Sequence, residues 1–425
     1  MTAYGAIIVP LKELPCKMHN YFEEMDPSPP AVYIPVKPPL PQITITPKIL
    51  GPFESLLRCS GLDLSRSSVT ASGSWAKSIF ITTLCTLVCL VMFLKCITLA
   101  MESVKPMTLE WVISCVWCFM AIHGFASAVC VASWTRTGLL PTLQEMLARI
   151  QTQRGSMTTC CDTSAVYRRI FIFGPIFIGT WILASLKGVF YDGKNHNETS
   201  PFSISYPITV DTMFGVEPLV YLMLAFSSTL ALIVHVLVFV HVNHEWTSYN
   251  EELANASKTR QLTVPDVLDS FSSRQSELIK MTKFVSKMMG LFVTLSTVFA
   301  SITAIDGLYF LAGFENLSIV MRIMALLWMN IAIAIILISL KQPANTQYEI
   351  NNTAQILLAD NLLQHTNEDR CWRTCRSMMD RAHHSSAKMY FAQAFGIDEY
   401  FPHKMLFIVP NIGTLLVMVK KMGLV

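Results

Sequence analysis

Long apolar stretches, separated by polar segments, run along most of this chain. A membrane-spanning helix needs about 20 mostly apolar residues. Six stretches meet this requirement, at residues 78–101, 109–134, 170–190, 214–241, 283–314 and 317–340. A seventh, at 405–422, is shorter and contains Pro410, which should kink it. The pattern predicts an all-α membrane protein with seven transmembrane helices.

The polar segments between these stretches differ greatly in length. Those at 135–169, 242–282 and 341–404 are long and contain amphipathic helical patterns, the clearest at 139–150 and 356–363. We therefore expect some of the spans to continue as helices beyond the membrane. Residues 53–62 near the N-terminus have the pattern of a short helix closed by Gly61.

The lysines and arginines fall mostly on one side of the predicted membrane. The N-terminal segment and the three long polar segments hold nearly all of them, whereas the opposite loops hold Lys105 and Lys194 and little else. Because basic loops stay in the cytoplasm, the N-terminus is predicted inside and the C-terminus outside. Asn197 begins a glycosylation sequon in a predicted outer loop, and the sequons at Asn255 and Asn351 are predicted cytoplasmic and unmodified.

Composition agrees with a membrane protein. Hydrophobic residues make up 52% of the chain and charged residues only 14%, against about 25% charged residues in soluble domains. The net charge of +3 is too small to argue for a nucleic-acid partner. The 12 cysteines are interpreted as small buried hydrophobes. No signal peptide is visible, so we expect the first helix to act as the insertion signal.

The last apolar stretch is polar along one side. Asn411, Thr414, Met418 and Lys421 fall on one face of a helix. Polar groups against lipid would be costly, so this face is predicted to meet water or partner copies, as the lining of a pore. The alternative is that the two polar side chains hydrogen-bond between packed helices while Lys421 snorkels to the surface.

Aromatic and polar residues gather in the predicted outer half of the first six helices. Such a mixture suits a small-molecule site, although aromatic residues also form interfacial belts. Asp306 and Arg322 flank a tight outer turn, and either pair with each other or contact a polar ligand. The predicted ligand-binding residues are Trp111, Trp117, Trp181, Glu217, Tyr221, Asp306, Tyr309, Arg322 and Trp328.

Other candidate sites are weaker. His123 and His235 lie in the middle of spans and are interpreted as hydrogen-bonding groups between helices. Cys371 and Cys375 lie near histidines, but their spacing and the surrounding arginines speak against a zinc site. Those arginines suit an inner membrane face or a subunit contact. No phosphate-binding loop, dinucleotide turn or nucleophile motif is present, so we predict neither an enzyme nor a cofactor.

Seven spans with a cytoplasmic N-terminus is the inverse of the topology of a G-protein-coupled receptor. The chain resembles the insect gustatory receptor family, within the odorant and gustatory receptor superfamily of arthropods. The most local similarity is at 391–398, which looks like the Ala-x-x-Phe-Phe-x-hydrophobic-Asp stretch before the last helix of that family. The family's signature of Thr-Tyr, five hydrophobic residues and Gln-Phe is diverged here, with Leu415, Lys421 and Met422 at the Tyr, Gln and Phe positions.

The resemblance implies a taste-type chemoreceptor of the plasma membrane, a tetrameric ligand-gated non-selective cation channel. It implies four parts: an N-terminal cytoplasmic segment (1–75), a ligand-binding bundle (76–340), a cytoplasmic anchor that holds the homo- or hetero-tetramer together (341–404) and a pore-lining helix (405–425). The implied partners are a small-molecule ligand, membrane lipid and other receptor subunits. A ring of four Lys421 side chains would repel cations, so selectivity stays open.

Alternatives from other classes remain. An odorant receptor channel of the same superfamily is the nearest, and a member with a non-sensory role is also possible. A secondary transporter is disfavoured because no internal repeat is visible and the predicted number of spans is odd.

Overall fold

Nearly all of the computed structural model is helical. It describes residues 49–65, 75–100, 108–153, 163–194, 213–315, 317–365, 368–384, 388–392 and 394–423. The predicted glycosylation site at Asn197 lies outside these residues, as does most of the N-terminal segment.

Eleven α-helices account for most of this part of the chain. They are α1 (Glu54–Cys59), α2 (Trp75–Ala100), α3 (Leu109–Thr137), α4 (Leu139–Thr152), α5 (Ser164–Lys194), α6 (Met213–Lys258), α7 (Pro265–Gly313), α8 (Ile319–Ala359), α9 (Asn361–Gln364), α10 (Asp369–His384) and α11 (Phe401–Lys421). Short 3₁₀ turns lie at Gly51–Phe53 and Gln261–Thr263. A small antiparallel hairpin pairs β1 (Tyr390–Phe391) with β2 (Phe395–Gly396). The predicted all-α class is confirmed.

Six helical segments of the described chain are long and apolar enough to cross a membrane. They are Trp111–Thr137, Ser164–Leu183, Leu219–Lys258, Pro265–Gly313, Ile319–Ala359 and Phe401–Lys421. Helix α2 is 26 residues long, but its apolar part, Thr82–Ile97, is shorter than these six segments. The protein is thus an all-α membrane protein, and the count of seven spans and their orientation stay predictions.

Three helices are much longer than a bilayer is thick. Helices α6, α7 and α8 have 46, 49 and 41 residues, where about 20 suffice to span. Continuation beyond the membrane is therefore as expected, and the predicted boundary at residue 340 falls inside α8. Polar contacts tie the extensions together: Asn250 Nδ2 donates to the Glu349 carbonyl at 2.8 Å, and Arg274 pairs with Glu252.

The predicted amphipathic stripe at 139–150 is confirmed in α4. Leu139, Leu143, Leu147 and Ile150 are all buried. Gly138 joins α3 to α4 with a φ of +72°, a left-handed conformation that glycine adopts at little cost. The turn at Gly138 and the apolar residues spaced three or four apart together pack α4 against the rest of the bundle.

The short helix near the N-terminus is also as predicted. Helix α1 is followed by Gly61, whose φ is +73°. Ahead of α1, the buried Phe53 ring lies 4.7 Å from Phe171 and 5.9 Å from Tyr167, both on α5. Aromatic packing therefore fixes this segment to α5.

A buried histidine joins three helices at the centre of the bundle. His123 of α3 lies 3.1 Å from Ser296 Oγ of α7 and 3.0 Å from Ser228 Oγ of α6. The interpretation of His123 as a hydrogen-bonding group is confirmed. His235, in contrast, is packed against the Phe239 and Phe292 rings. Of the nine cysteines that the structure describes, five are buried, three are half-buried and Cys59 is exposed.

Candidate functional site

One face of α11 is packed against the bundle. Val409, Gly413 and Val417 recur every four residues and are buried, with α7 as the main neighbouring helix. A Cβ atom at Gly413 would lie 2.7 Å from Leu308 Cδ2 of α7, so the absence of a side chain allows the two helices to approach closely. This contact fixes the rotation of α11 about its axis.

The predicted pore stripe lies on the opposite, uncovered side of α11. Asn411, Thr414, Met418 and Lys421 are all exposed in the single chain. Asn411 Nδ2 donates to the Phe407 carbonyl at 2.6 Å, and Thr414 Oγ1 donates to the Pro410 carbonyl at 2.9 Å. Each of these two side chains donates one hydrogen bond within the helix, and its exposed part is open to water or a second subunit.

The two lysines at the end of α11 have different surroundings. Lys420 Nζ lies 3.1 Å from the centre of the Phe314 ring and 5.2 Å from that of Tyr309, at the end of α7. Lys421 stays on the exposed side. Sequence reasoning missed Lys420, although neighbouring residues on a helix point about 100° apart, which already separates the two charges.

Four of the predicted ligand-binding residues share one property. Trp117, Asp306, Tyr309 and Trp328 are buried, and each has a polar atom without a hydrogen-bond partner in the protein. The atoms are the two indole Nε1 groups, Asp306 Oδ2 and the Tyr309 hydroxyl. Buried polar atoms are nearly always paired, so such atoms mark places where a ligand or bound water would be stabilised.

These residues border aromatic rings and, at one point, the last helix. The Trp328 ring meets Phe310 edge-on at 5.8 Å, and the Tyr309 ring meets Phe314 at 5.9 Å. Tyr309 also faces Lys420 of α11. The C-terminal end of α7 therefore touches both the unpaired polar groups and the helix that carries the predicted pore stripe.

The predicted pair between Asp306 and Arg322 is not formed in the structure. Asp306 is buried in α7, whereas Arg322 is exposed on α8. Gly307 explains the geometry, because a Cβ atom there would lie 2.7 Å from Met329 Cγ. Close packing at Gly307 sets the rotation of α7 against α8. In this rotation Asp306 is buried, and Arg322 is exposed on the surface of the single chain.

The remaining predicted ligand residues are dispersed. Trp181 is buried with its ring 6.1 Å from that of His123, and Tyr221 is buried beneath Lys95. Trp111 is half-buried near the start of α3. Glu217 lies in α6, but its side chain is outside the described set. The assignment of these nine residues to one ligand site stays a prediction.

Comparison with known proteins gives two results. A model of the family described as Caenorhabditis protein of unknown function, DUF267, matches residues 49–413. No curated protein matches the chain.

The fold is similar to solved structures of the insect olfactory receptor OR5 from Machilis hrabei. Its complex with eugenol has a TM-score of 0.62 at 14% sequence identity, and the similarity covers 87% of this chain and 99% of the receptor. A second structure of OR5 gives a TM-score of 0.57 at 12% identity, with the same coverage. At these identities the similarity is one of fold. The chain belongs to the DUF267 family, and it has the fold of an insect olfactory receptor.

Proposed function

We propose that this protein is a chemoreceptor of the plasma membrane, a ligand-gated non-selective cation channel of the taste type that works as a homo- or hetero-tetramer. The observation that carries the proposal is the two-sided α11. Its apolar side is buried on α7, and its side with Asn411, Thr414 and Met418 is uncovered in the single chain. The olfactory-receptor fold supports the same assignment.

The pore follows from the rotation of α11. Close packing of Gly413 on Leu308 turns the polar stripe away from its own subunit. Polar side chains at this depth are costly against lipid but stable against water. Four copies that turn these stripes toward a common axis would line a wet pathway. The anchor at 341–404, with the long extensions of α6, α7 and α8, would hold the copies together.

The ligand would bind among the unpaired buried groups near the outer end of α7. Asp306, Tyr309 and Trp328 offer an acceptor, a hydroxyl and a donor beside aromatic rings. A small molecule with both polar and apolar parts satisfies such a site. Tyr309 also faces Lys420 on α11. A ligand that moves Tyr309 would therefore act directly on the position of the pore helix.

The odorant type is the second candidate. The fold similarity to OR5, whose structure was solved in complex with eugenol, favours it. A ligand panel should therefore combine tastants with volatile aromatic compounds such as eugenol.

The test is ligand-evoked current in cells that express the full chain under voltage clamp. A charged thiol reagent should block the current through Thr414→Cys and Met418→Cys. The matched control is Ile412→Cys, which is also exposed but lies about 100° around the helix from Asn411, on the side assigned to lipid. Block of Ile412→Cys alone, or ligand uptake without any current, would contradict the proposal, and uptake would indicate a transporter.

A further inference from the structure

A basic cavity lies where α10 meets α7 on the predicted cytoplasmic side. Its volume is about 800 Å³. Ile279 of α7 forms part of the wall, and α10 supplies Trp372, Arg373, Arg376 and Arg381. The lining thus combines an apolar wall with three guanidinium groups.

The charges of the cavity do not balance. Asp380 is the carboxylate in the lining, against the three arginines, and Arg373 pairs with Asp369. Within the described part of the chain, neither Arg376 nor Arg381 forms an ion pair. Three arginines against two carboxylates, Asp380 and the Asp369 that pairs with Arg373, leave a net charge of +1, and Arg376 and Arg381 both lack a direct ion pair.

Both unpaired arginines have neighbours that orient their guanidinium groups. The Arg376 guanidinium lies over the Trp372 ring, 5.2 Å from its centre. Arg381 donates to the Ser272 carbonyl at 3.1 Å, to Ser272 Oγ and to the Ser377 carbonyl at 3.2 Å. These three bonds use three of the five N–H groups of a guanidinium and leave two for a ligand.

A neighbouring arginine on α10 provides a comparison. Arg370 pairs with Asp269 and Asp266 of α7, and the hydrogen bond to Asp269 raises the pKa of Arg370. Burial has the opposite effect on Arg381 and lowers its pKa below the ordinary value, although the nearby Tyr249 partly offsets this. Burial of a cation without an anion is unfavourable, and a bound anion would remove this cost.

By the hydropathy of α7 alone, the cavity lies close to the predicted inner membrane surface. Ile279 precedes the predicted start of the membrane-spanning part of α7, at residue 283, by four residues, or about 6 Å along a helix. After α10, the chain returns to α7 where the Ala392 N–H donates to Thr294 Oγ1 at 3.1 Å. The packing of Gly413 on Leu308, however, sets residue 405, where the predicted span of α11 begins, level with residue 300 of α7, about 30 Å beyond Ile279. At that distance a lipid headgroup does not reach the arginines, whereas a free inositol phosphate does.

We propose that this cavity binds a free inositol phosphate. Guanidinium groups bind phosphate through paired, charge-assisted hydrogen bonds, and two such groups match a ligand with several phosphates. The site is distinct from the pore and the ligand site, and only its place in the cytoplasm depends on the proposed orientation.

The test uses the full chain in phosphatidylcholine nanodiscs. The probes are short-chain phosphatidylinositol bisphosphate, inositol trisphosphate and inorganic phosphate, with binding measured by titration and by the rise in melting temperature. Wild-type protein should bind inositol trisphosphate. Arg376→Gln should weaken binding about tenfold, and the double variant Arg376→Gln/Arg381→Gln should weaken it further. The control is Arg149→Gln, an exposed arginine on α4 that is paired with Glu145.

The results distinguish a lipid headgroup from a free inositol phosphate, and ligand binding from a subunit contact. Tighter binding of the lipid than of inositol trisphosphate would indicate a membrane source and contradict the free form, whereas equal or tighter binding of inositol trisphosphate supports it. Arg381 also anchors α10. The Arg376 guanidinium lies over the Trp372 ring of the same helix, so the single variant Arg376→Gln keeps the test valid if the double variant unfolds. Binding that is absent, or equally strong in all variants, would overturn the proposal. Variants that alter subunit assembly but not binding would overturn it in favour of a subunit contact.

Discussion

At the scale of single residues, the adjacent lysines of α11 offer a matched pair. Lys421 lies on the exposed stripe, and Lys420 is held over the Phe314 and Tyr309 rings. If the stripe lines a pore, Lys421→Gln removes a ring of charge that repels cations. We expect Lys421→Gln to shift the reversal potential toward greater cation preference. Lys420→Gln, which makes the same change of charge, should leave the reversal potential unaltered.

Reversal potentials measured under sodium chloride gradients test this pair. Lys420→Gln should show its effect in stability instead, with a loss of about 0.5–2 kcal/mol from the missing cation–π contacts. Equal shifts of reversal potential in both variants would indicate a general surface-charge effect and would argue against a pore at this stripe. Strong chloride preference in the wild-type channel would contradict cation selectivity itself.

Residue types could be predicted from the sequence, but residue partners could not. Trp117, Asp306 and Trp328, chosen from the aromatic and polar pattern as ligand-binding residues, are buried, and their contact with a ligand stays a prediction. The pairing of Asp306 with Arg322 was wrong, because the rotation of a helix depends on contacts such as Gly307 with Met329 that no local pattern encodes. The serine partners of His123 were missed for the same reason.

At the scale of elements, the contact between α7 and α11 can be tested with two glycines. A methyl group at Gly413 would overlap Leu308, whereas the region around the Gly290 Cβ position on α7 is open to at least 4 Å. We expect Gly413→Ala to lower the stability of the protein by about 1–3 kcal/mol through overpacking. Gly290→Ala should have no cost and gain at most about 1 kcal/mol from helix propensity.

The measurement is thermal unfolding of each purified variant in detergent, followed by the loss of the folded peak in gel filtration. A Gly413→Ala variant as stable as Gly290→Ala would show that α11 is not held against α7 at this distance. The rotation of the stripe, and with it the proposed pore, would then lose its main support.

Elements with a strong local period were the predictable ones. The stripe of α4 and the continuation of α6, α7 and α8 follow from hydrophobic spacing alone. The hairpin at 390–396 was not predicted, because two-residue strands carry almost no periodic signal. The division at residue 340 was drawn where hydropathy falls, but helical hydrogen bonding continues through that point in α8.

At the scale of the whole molecule, hydropathy determined most of what could be predicted. Apolar length identifies the spans because lipid forces every backbone polar group into a helix. The cavity of α10 could not be predicted in the same way, since the sequence shows a run of arginines but not which of them α7 neutralises. Asp269 and Asp266 compensate Arg370 and leave Arg376 and Arg381 for a ligand.

Orientation in the membrane is the property of the whole chain that the charge pattern predicts and that one chemical modification can test. Glycosylation acts only on the outer side of the membrane. Asn197 lies in a predicted outer loop, whereas Asn255 and Asn351 are exposed on the extensions of α6 and α8.

In eukaryotic cells, the full chain should lose apparent mass on treatment with a glycosidase that removes N-linked glycans. Asn197→Gln should abolish this shift, and Asn255→Gln and Asn351→Gln should preserve it. The fourth sequon, at Asn316, is predicted to lie too near the membrane to be modified. Because the other three can each report, insertion with the opposite orientation would give the reverse result: the shift would persist in Asn197→Gln and shrink in the other two variants. That result would place α10 and its arginines outside the cell, where a cytoplasmic inositol phosphate could not reach them.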